Sequence, residues 1–224
     1  MNNANHHPGE ELLATYSAAS LPMSHALCIS THIEHCHECA KKAKRLNLVG
    51  SELMQQLKSA LPSSAFKKSL FDNIDELSNK QEKADEKVEL KVNNTRVPHC
   101  LTQFVTGDYA ELDWKRVSPD IHSYELCRDS NGEKVELLKI KAGGTSSTHT
   151  HMGDEYTVIL EGSFSDEDGV YGQGDFMLRD SSHQHTPVAT QDRECICLVV
   201  TEAPIQLTGI FGRLLNPLIR RSYT

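Results

Sequence analysis

The spacing of apolar side chains changes character once along the chain, and that change divides it. From Glu10 to Ala19, the residues Leu12, Leu13, Tyr16 and Ala19 recur at helical intervals until Ser20-Leu21-Pro22 breaks the pattern. A second helix is predicted from Leu21 to Cys39, opened by Pro22, with Ala26, Leu27, Ile29 and Ile33 buried. A third runs through Leu46, Val49, Leu53, Met54 and Leu57 and stops before Pro62. Ser63-Ser64 can cap a fourth, whose stripe is Phe66, Leu70, Phe71, Ile74 and Leu77. Such a stripe is ordinarily core, but a module this small has little core to set against it.

From Ser78 to Val97 large apolar residues nearly vanish before Val88 and charge alternates, which reads as a solvated linker over 79–97. Beyond Pro98 the period becomes two. Val135–Ile140, Tyr156–Leu160 and Cys195–Thr201 read as strands separated by Gly, Asp, Asn and Pro clusters, so 98–204 is expected to be a barrel or sandwich of short antiparallel strands. The last segment, 205–224, sets Leu207, Ile210, Phe211, Leu214, Leu215, Leu218 and Ile219 beside Arg213, Arg220 and Arg221. It reads as a basic amphipathic tail that docks on the β domain or serves as an interaction segment. The expected class is therefore α + β in two domains, a small helical bundle over 1–78 followed by an antiparallel β-barrel.

Composition adds limits. No long apolar run or basic-then-apolar leader is present, and seven cysteines are an odd number for a disulfide scaffold, so a cytoplasmic protein without membrane contact is expected. The net charge of −8 is concentrated in 98–204, which carries 19 acidic and 8 basic side chains. A domain of that sign repels a phosphate backbone, which argues against direct nucleic-acid binding. The basic cluster Lys41, Lys42, Lys44 and Arg45 reads as a solvated helix face.

The chemistry begins at His32-Ile-Glu-His-Cys-His-Glu-Cys39. Positions 32, 36 and 39 differ by four and three, so on a continuous helix they share one stripe and supply most of a tetrahedral zinc site. The bland alternative is an exposed helix with two cysteines, or a redox pair. His37 points off the stripe, and His35 adjoins Cys36 too closely to share its metal. Cys28 cannot be the fourth ligand, because eleven residues of helix span ~16 Å. The His6-His7 pair is the obvious source.

A second constellation lies in the β region. Gly143, His149, His151, Glu155 and Gly162 stand as G-x5-H-x-H-x3-E-x6-G, and the two histidines and the glutamate share strand parity. Gly174 is followed at eleven residues by His185, with His183 at the same parity; the spacing favours His185. Three imidazoles and one carboxylate suit zinc, iron, manganese or nickel. Cys195 and Cys197 share a face by parity, as apolar core or as a redox pair.

Gly143 to Gly162 resembles the first cupin motif, and Gly174 to His185 resembles the second. The second departs from the family at Asp180, Ser182 and Ala189, where proline, glycine and often asparagine are usual. With the helical HxxxCxxC module in front, nearly the whole chain resembles the ChrR type of zinc-binding anti-sigma factor. Leu12-Leu13-Ala14-Thr15-Tyr16, Thr31-His32, His185-Thr186-Pro187-Val188-Ala189 and Cys195-Ile196-Cys197-Leu198 support the resemblance. It implies a zinc site of His7, His32, Cys36 and Cys39, and a cupin site of His149, His151, Glu155 and His185 holding zinc or another divalent metal. It also implies a non-enzymatic role. The helical domain would wrap an extracytoplasmic function (group IV) sigma factor, and the cupin would be needed for release on an oxidative signal such as singlet oxygen. The competing expectations are a metal-dependent cupin enzyme, a dioxygenase or isomerase with a regulatory zinc module, and a metal-storage or metal-sensing protein.

Overall fold

The computed structural model describes residues 4–81, 96–209 and 212–223. Four helices precede the strands: α1 (Glu10–Ser17), α2 (Met23–His35), α3 (His37–Gln55) and α4 (Ser64–Gln81). Pro22 is the N-cap of α2, and Ser63 caps α4 by accepting from the Phe66 N–H at 3.1 Å. The single helix expected over 21–39 is in fact two. Cys36 is extended (φ −116°, ψ 101°), its N–H closing α2 on the His32 carbonyl while its own carbonyl receives the Ala40 N–H. It is thus the last cap of one helix and the first cap of the next. The expected linker lies outside the described residues, apart from the end of α4 and Arg96-Val97.

Twelve strands follow: β1 (Lys115–Arg116), β2 (Ile121–Arg128), β3 (Lys134–Ile140), β4 (His149–His151), β5 (Glu155–Glu161), β6 (Ser163–Asp166), β7 (Gly169–Gly172), β8 (Phe176–Arg179), β9 (Gln184–His185), β10 (Val188–Ala189), β11 (Cys195–Thr201) and β12 (Ile205–Leu207). All described pairings are antiparallel. They form a six-stranded sheet, β1-β2-β3-β11-β5-β8, and two three-stranded sheets, β10-β6-β7 and β12-β4-β9. The antiparallel strands expected of a barrel or sandwich thus form three sheets, β4, β9 and β12 pairing only with one another.

The middle of the six-stranded sheet is buried on both faces, which explains the near-continuous apolar run of β11. Cys195, Cys197 and Val199 face a cluster with Ile159, Phe164 and Met177, between the sheets. Ile196, Leu198 and Val200 face the opposite cluster, with Leu13, Leu27, Cys28 and Ile29 of α1 and α2. α2 is buried at Ser24, His25, Leu27, Cys28, Ile29, Thr31 and His32, more sides than one apolar stripe would cover. Glu34 on its outer side accepts from the His99 and Cys100 N–H groups.

Contacts accordingly divide the chain elsewhere than at residue 78. One compact unit comprises 1–48 with 95–224, and the other comprises 49–94. The physical reason is that α2 uses the outer face of the large sheet as its core, which a polar linker in the sequence does not reveal. Within the second unit Leu53, Met54, Phe66, Leu70, Phe71 and Ile74 are all exposed. The expected tail is also divided: Ile205–Leu207 is β12, paired with the histidine-bearing β4. The short helix α5 (Asn216–Tyr223) returns to the β domain through Asn216, whose amide bonds both backbone groups of Leu207, and through the Tyr223 hydroxyl on the Thr201 carbonyl. No helix among the described residues is long and apolar enough to cross a membrane.

Candidate metal centres

His7, His32, Cys36 and Cys39 converge, every donor atom within 4.8 Å of every other. The break at Cys36 produces this geometry: His32 comes from the last turn of α2, Cys36 from the junction, and Cys39 from the first turn of α3. The Cys39 N–H donates to the Cys36 sulfur at 3.4 Å, the bond an N-cap side chain accepts from the third helical residue. His7 Nδ1 lies 3.4 Å from Cys36 Sγ and 3.5 Å from Cys39 Sγ. Tetrahedral zinc with its usual Zn–N and Zn–S bonds sets such edges at roughly 3.6 Å.

The β domain orients two of these ligands. His32 donates from Nδ1 to the Gly174 carbonyl at 2.7 Å, leaving its Nε2 buried without a hydrogen-bond partner and directed at the cluster. Asp175 accepts from the backbone N–H groups of Asn5 and His6 and pairs with the His6 ring at 3.1 Å. His6 is thereby spent on Asp175, and His7 is the histidine delivered to the thiols. Burial holds His32 down at about 4, and burial with the neighbouring Cys36 pushes the Cys39 thiol up to about 12. An acceptor imidazole beside an uncharged thiol is the arrangement that a cation would convert to ligands, with loss of the thiol protons. These residues fit zinc.

The second centre gathers His149, His151 and His185. β4 carries the first two on one face, and the β4–β9 register sets His149 opposite His185. His185 Nε2 is 3.1 Å from His149 Nε2 and 3.3 Å from His151 Nε2. Tetrahedral zinc separates two nitrogen ligands by roughly 3.3 Å. Each ring's other nitrogen meets an oxygen: His149 Nδ1 the Ser147 carbonyl at 2.8 Å, His185 Nδ1 Asp166 at 3.0 Å, and His151 Nδ1 Glu155 at 3.5 Å. Oxygen-backed imidazoles with converging far nitrogens are how proteins present histidine to a metal. Burial depresses His149 to about 4 and His151 to about 3, keeping both neutral and able to donate lone pairs. Zinc fits, as does another borderline divalent metal.

The remaining candidates lie around this centre and in the core. Glu155 has the expected parity but does not join the three converging nitrogens; its carboxylate backs the far side of His151 and accepts from Thr157 at 3.3 Å. Burial raises it to about 7. His183 is turned outward, bonded to Asp180 at 2.8 Å, so the structure distinguishes it from His185 where parity does not. Cys195 and Cys197 lie in the inter-sheet core, and the adjoining Cys195 together with burial pushes the Cys197 thiol up, the state of a packed residue.

The oxygens behind the ligands, on Gly174, Asp175, Asp166 and Ser147, were not singled out by spacing. Gly174 stands in the sequence only as a motif glycine. Its φ of +89° and the 2.8 Å that would separate an added Cβ from the His35 Cβ show why glycine stands there.

Fold and sites together define a cupin-like β domain preceded by a helical His2Cys2 segment. The family described as the ChrR cupin-like domain matches residues 102–204. Over 216 residues the chain is 30% identical to the anti-sigma-E factor ChrR of Cereibacter sphaeroides, covering 96% of this chain and 98% of that one. The crystal structure of Rhodobacter sphaeroides SigE in complex with the anti-sigma ChrR superimposes with a TM-score of 0.74 at 28% identity, covering 88% of this chain and 98% of that chain. The chain belongs to the ChrR family of anti-sigma factors.

Proposed function

We propose that this protein is a zinc-dependent anti-sigma factor that sequesters an extracytoplasmic function sigma factor and releases it under oxidative stress, singlet oxygen being one such signal. The observation that carries the reading is the exposed apolar set on the 49–94 unit. Leu53, Met54, Phe66, Leu70, Phe71 and Ile74 leave more large apolar side chains in water than an unpartnered pair of helices sustains. The relative seen in complex with SigE supports a sigma factor as the partner that covers them. Zinc at His7, His32, Cys36 and Cys39 would supply a tetrahedral tie among the N-terminal strand of chain, α2 and α3. These residues surround the start of α3.

For release, the segment from Gly174 to His185 is the relevant element. Its first residue accepts from His32 and its last is a ligand of the cupin centre. Damage or metal loss at His149, His151 or His185 would shift that segment and with it the oxygen that orients His32. The reading is of a regulator located in the cytoplasm, and the cupin site serves it as a sensing centre.

The test is co-purification of the full chain with its sigma partner. Phe66→Asp and Phe71→Asp, both at exposed positions, are expected to abolish capture without lowering the melting temperature. Retained capture by the double variant would overturn the assignment of the docking face.

A further inference from the structure

A third group of potential ligands lies apart from both centres. His25, in the first turn of α2, places Nε2 3.3 Å from Glu133 Oε2 and 3.5 Å from Glu202 Oε1. Glu133 immediately precedes β3 and Glu202 immediately follows β11, so the two glutamates flank neighbouring strand ends in the large sheet. The His25 side chain is only 7% exposed, and its Nε2 has no hydrogen-bond partner despite the two carboxylates beside it. A buried imidazole nitrogen outside hydrogen-bonding geometry is costly, so this position calls for something to occupy it.

The surroundings fix all three side chains. The His25 ring is stacked on Tyr156, centroids 4.1 Å apart and planes 29° apart. Ser24, also fully buried, donates its hydroxyl to Glu133 Oε2 or to Asp129 at 2.7 Å. Glu202 is held by exchange with Asp154: its N–H bonds the Asp154 carbonyl at 3.0 Å, and its carboxylate accepts the Asp154 N–H at 3.2 Å. Burial raises Glu133, and burial and Glu202 together raise Asp154, as expected where carboxylates crowd a site short of positive charge. The ion pairs of Glu133 and Glu202 among the described residues are both to His25.

We propose that His25, Glu133 and Glu202 form a third metal site, taking a divalent transition cation of the zinc type with one nitrogen and two oxygen ligands. The separations of 3.3 and 3.5 Å are those of ligand atoms sharing one such ion at bonds of ~2.0 to 2.2 Å. His25 offers Nε2 and each glutamate one oxygen, and Glu202, 36% exposed, leaves a side open to water for ion entry. The ion would bind α2 to the ends of β3 and β11, two helical turns from the point where His32 meets Gly174, so that the helix is fastened to the sheet at both ends.

The experiment uses full-length protein with zinc as the probe, dialysed against metal-free buffer lacking chelator, with zinc counted per chain. Wild type is expected to retain three equivalents. Glu133→Gln/Glu202→Gln, of unchanged shape, is expected to retain two, and adding His185→Ala to leave one. Calorimetric titration of metal-depleted protein should show a zinc-binding step that disappears in Glu202→Gln, a partly exposed position whose change spares the fold. An equal zinc count in wild type and the double glutamine variant would overturn the proposal. So would an unchanged titration of Glu202→Gln.

Discussion

The Nδ1 of His32 and the carbonyl of Gly174 lie 2.7 Å apart across 142 residues of sequence, and through that bond the β domain sets the aim of a helical metal ligand. Gly174 has a left-handed backbone, and an added methyl would meet the His35 Cβ at 2.8 Å. Gly174→Ala is expected to destabilise the protein by about 1–3 kcal/mol in urea unfolding and to speed zinc loss to a chelator. Unchanged stability and release would show that the bond does not govern the ligand.

The two N-terminal histidines should separate cleanly. His7→Ala is expected to lose one zinc equivalent, as are Cys36→Ala and Cys39→Ala, whereas His6→Ala should keep full metal content, since His6 faces Asp175. Metal analysis of the four variants decides it. Equal losses from His6→Ala and His7→Ala would mean that the pair is interchangeable.

At the cupin centre three substitutions should differ in kind. His185→Ala is expected to abolish one binding equivalent, and His183→Ala to leave it intact. Glu155→Gln should weaken affinity roughly 10–100-fold while preserving stoichiometry at saturating metal, because it backs a ligand without being one. A lost equivalent in Glu155→Gln would restore it as a direct ligand.

What the sequence disclosed and what it hid follow a physical line. The intervals His32–Cys36–Cys39 and His149–His151 are legible because local backbone geometry converts them into directions, whereas His185 is legible only through its spacing from Gly174. The break at Cys36 was hidden, since the same intervals suit a continuous helix, and only the extended φ and ψ of one residue tell them apart. Glu155 shares the face of the two histidines, yet parity carries no distance, and its carboxylate lies against the far nitrogen of His151. The packing of α2 on the sheet and the His25–Glu133–Glu202 group depend on residues far apart in the chain, which no period or motif connects.

Acid should destabilise the metal-free protein. Burial sets His32 and His149 at about 4 and His151 at about 3 in the folded chain, against 6.5 when free. The unfolded chain therefore takes up protons first, so stability is complete above pH 6.5 and is lost as pH falls toward 4. Urea midpoints of chelator-treated protein should fall over that window, and fall less in His149→Ala/His151→Ala. A flat profile would show that these rings are not neutral and buried when metal-free.

Oxidant-driven release should depend on the cupin centre. Complexes carrying His149→Ala, Glu155→Ala or His185→Ala are expected to release the sigma factor at an altered rate when exposed to singlet oxygen. Normal release from all three would remove that centre from the response.

The strand β11 is buried along its whole length and paired on both edges from Ile196 to Thr201. Its amide protons have no route to solvent short of separating α2 from the sheet or parting two strand ladders together. They should therefore exchange with deuterium last of all, on the time scale of global opening, and so serve as a clock for the whole 1–48 and 95–224 unit.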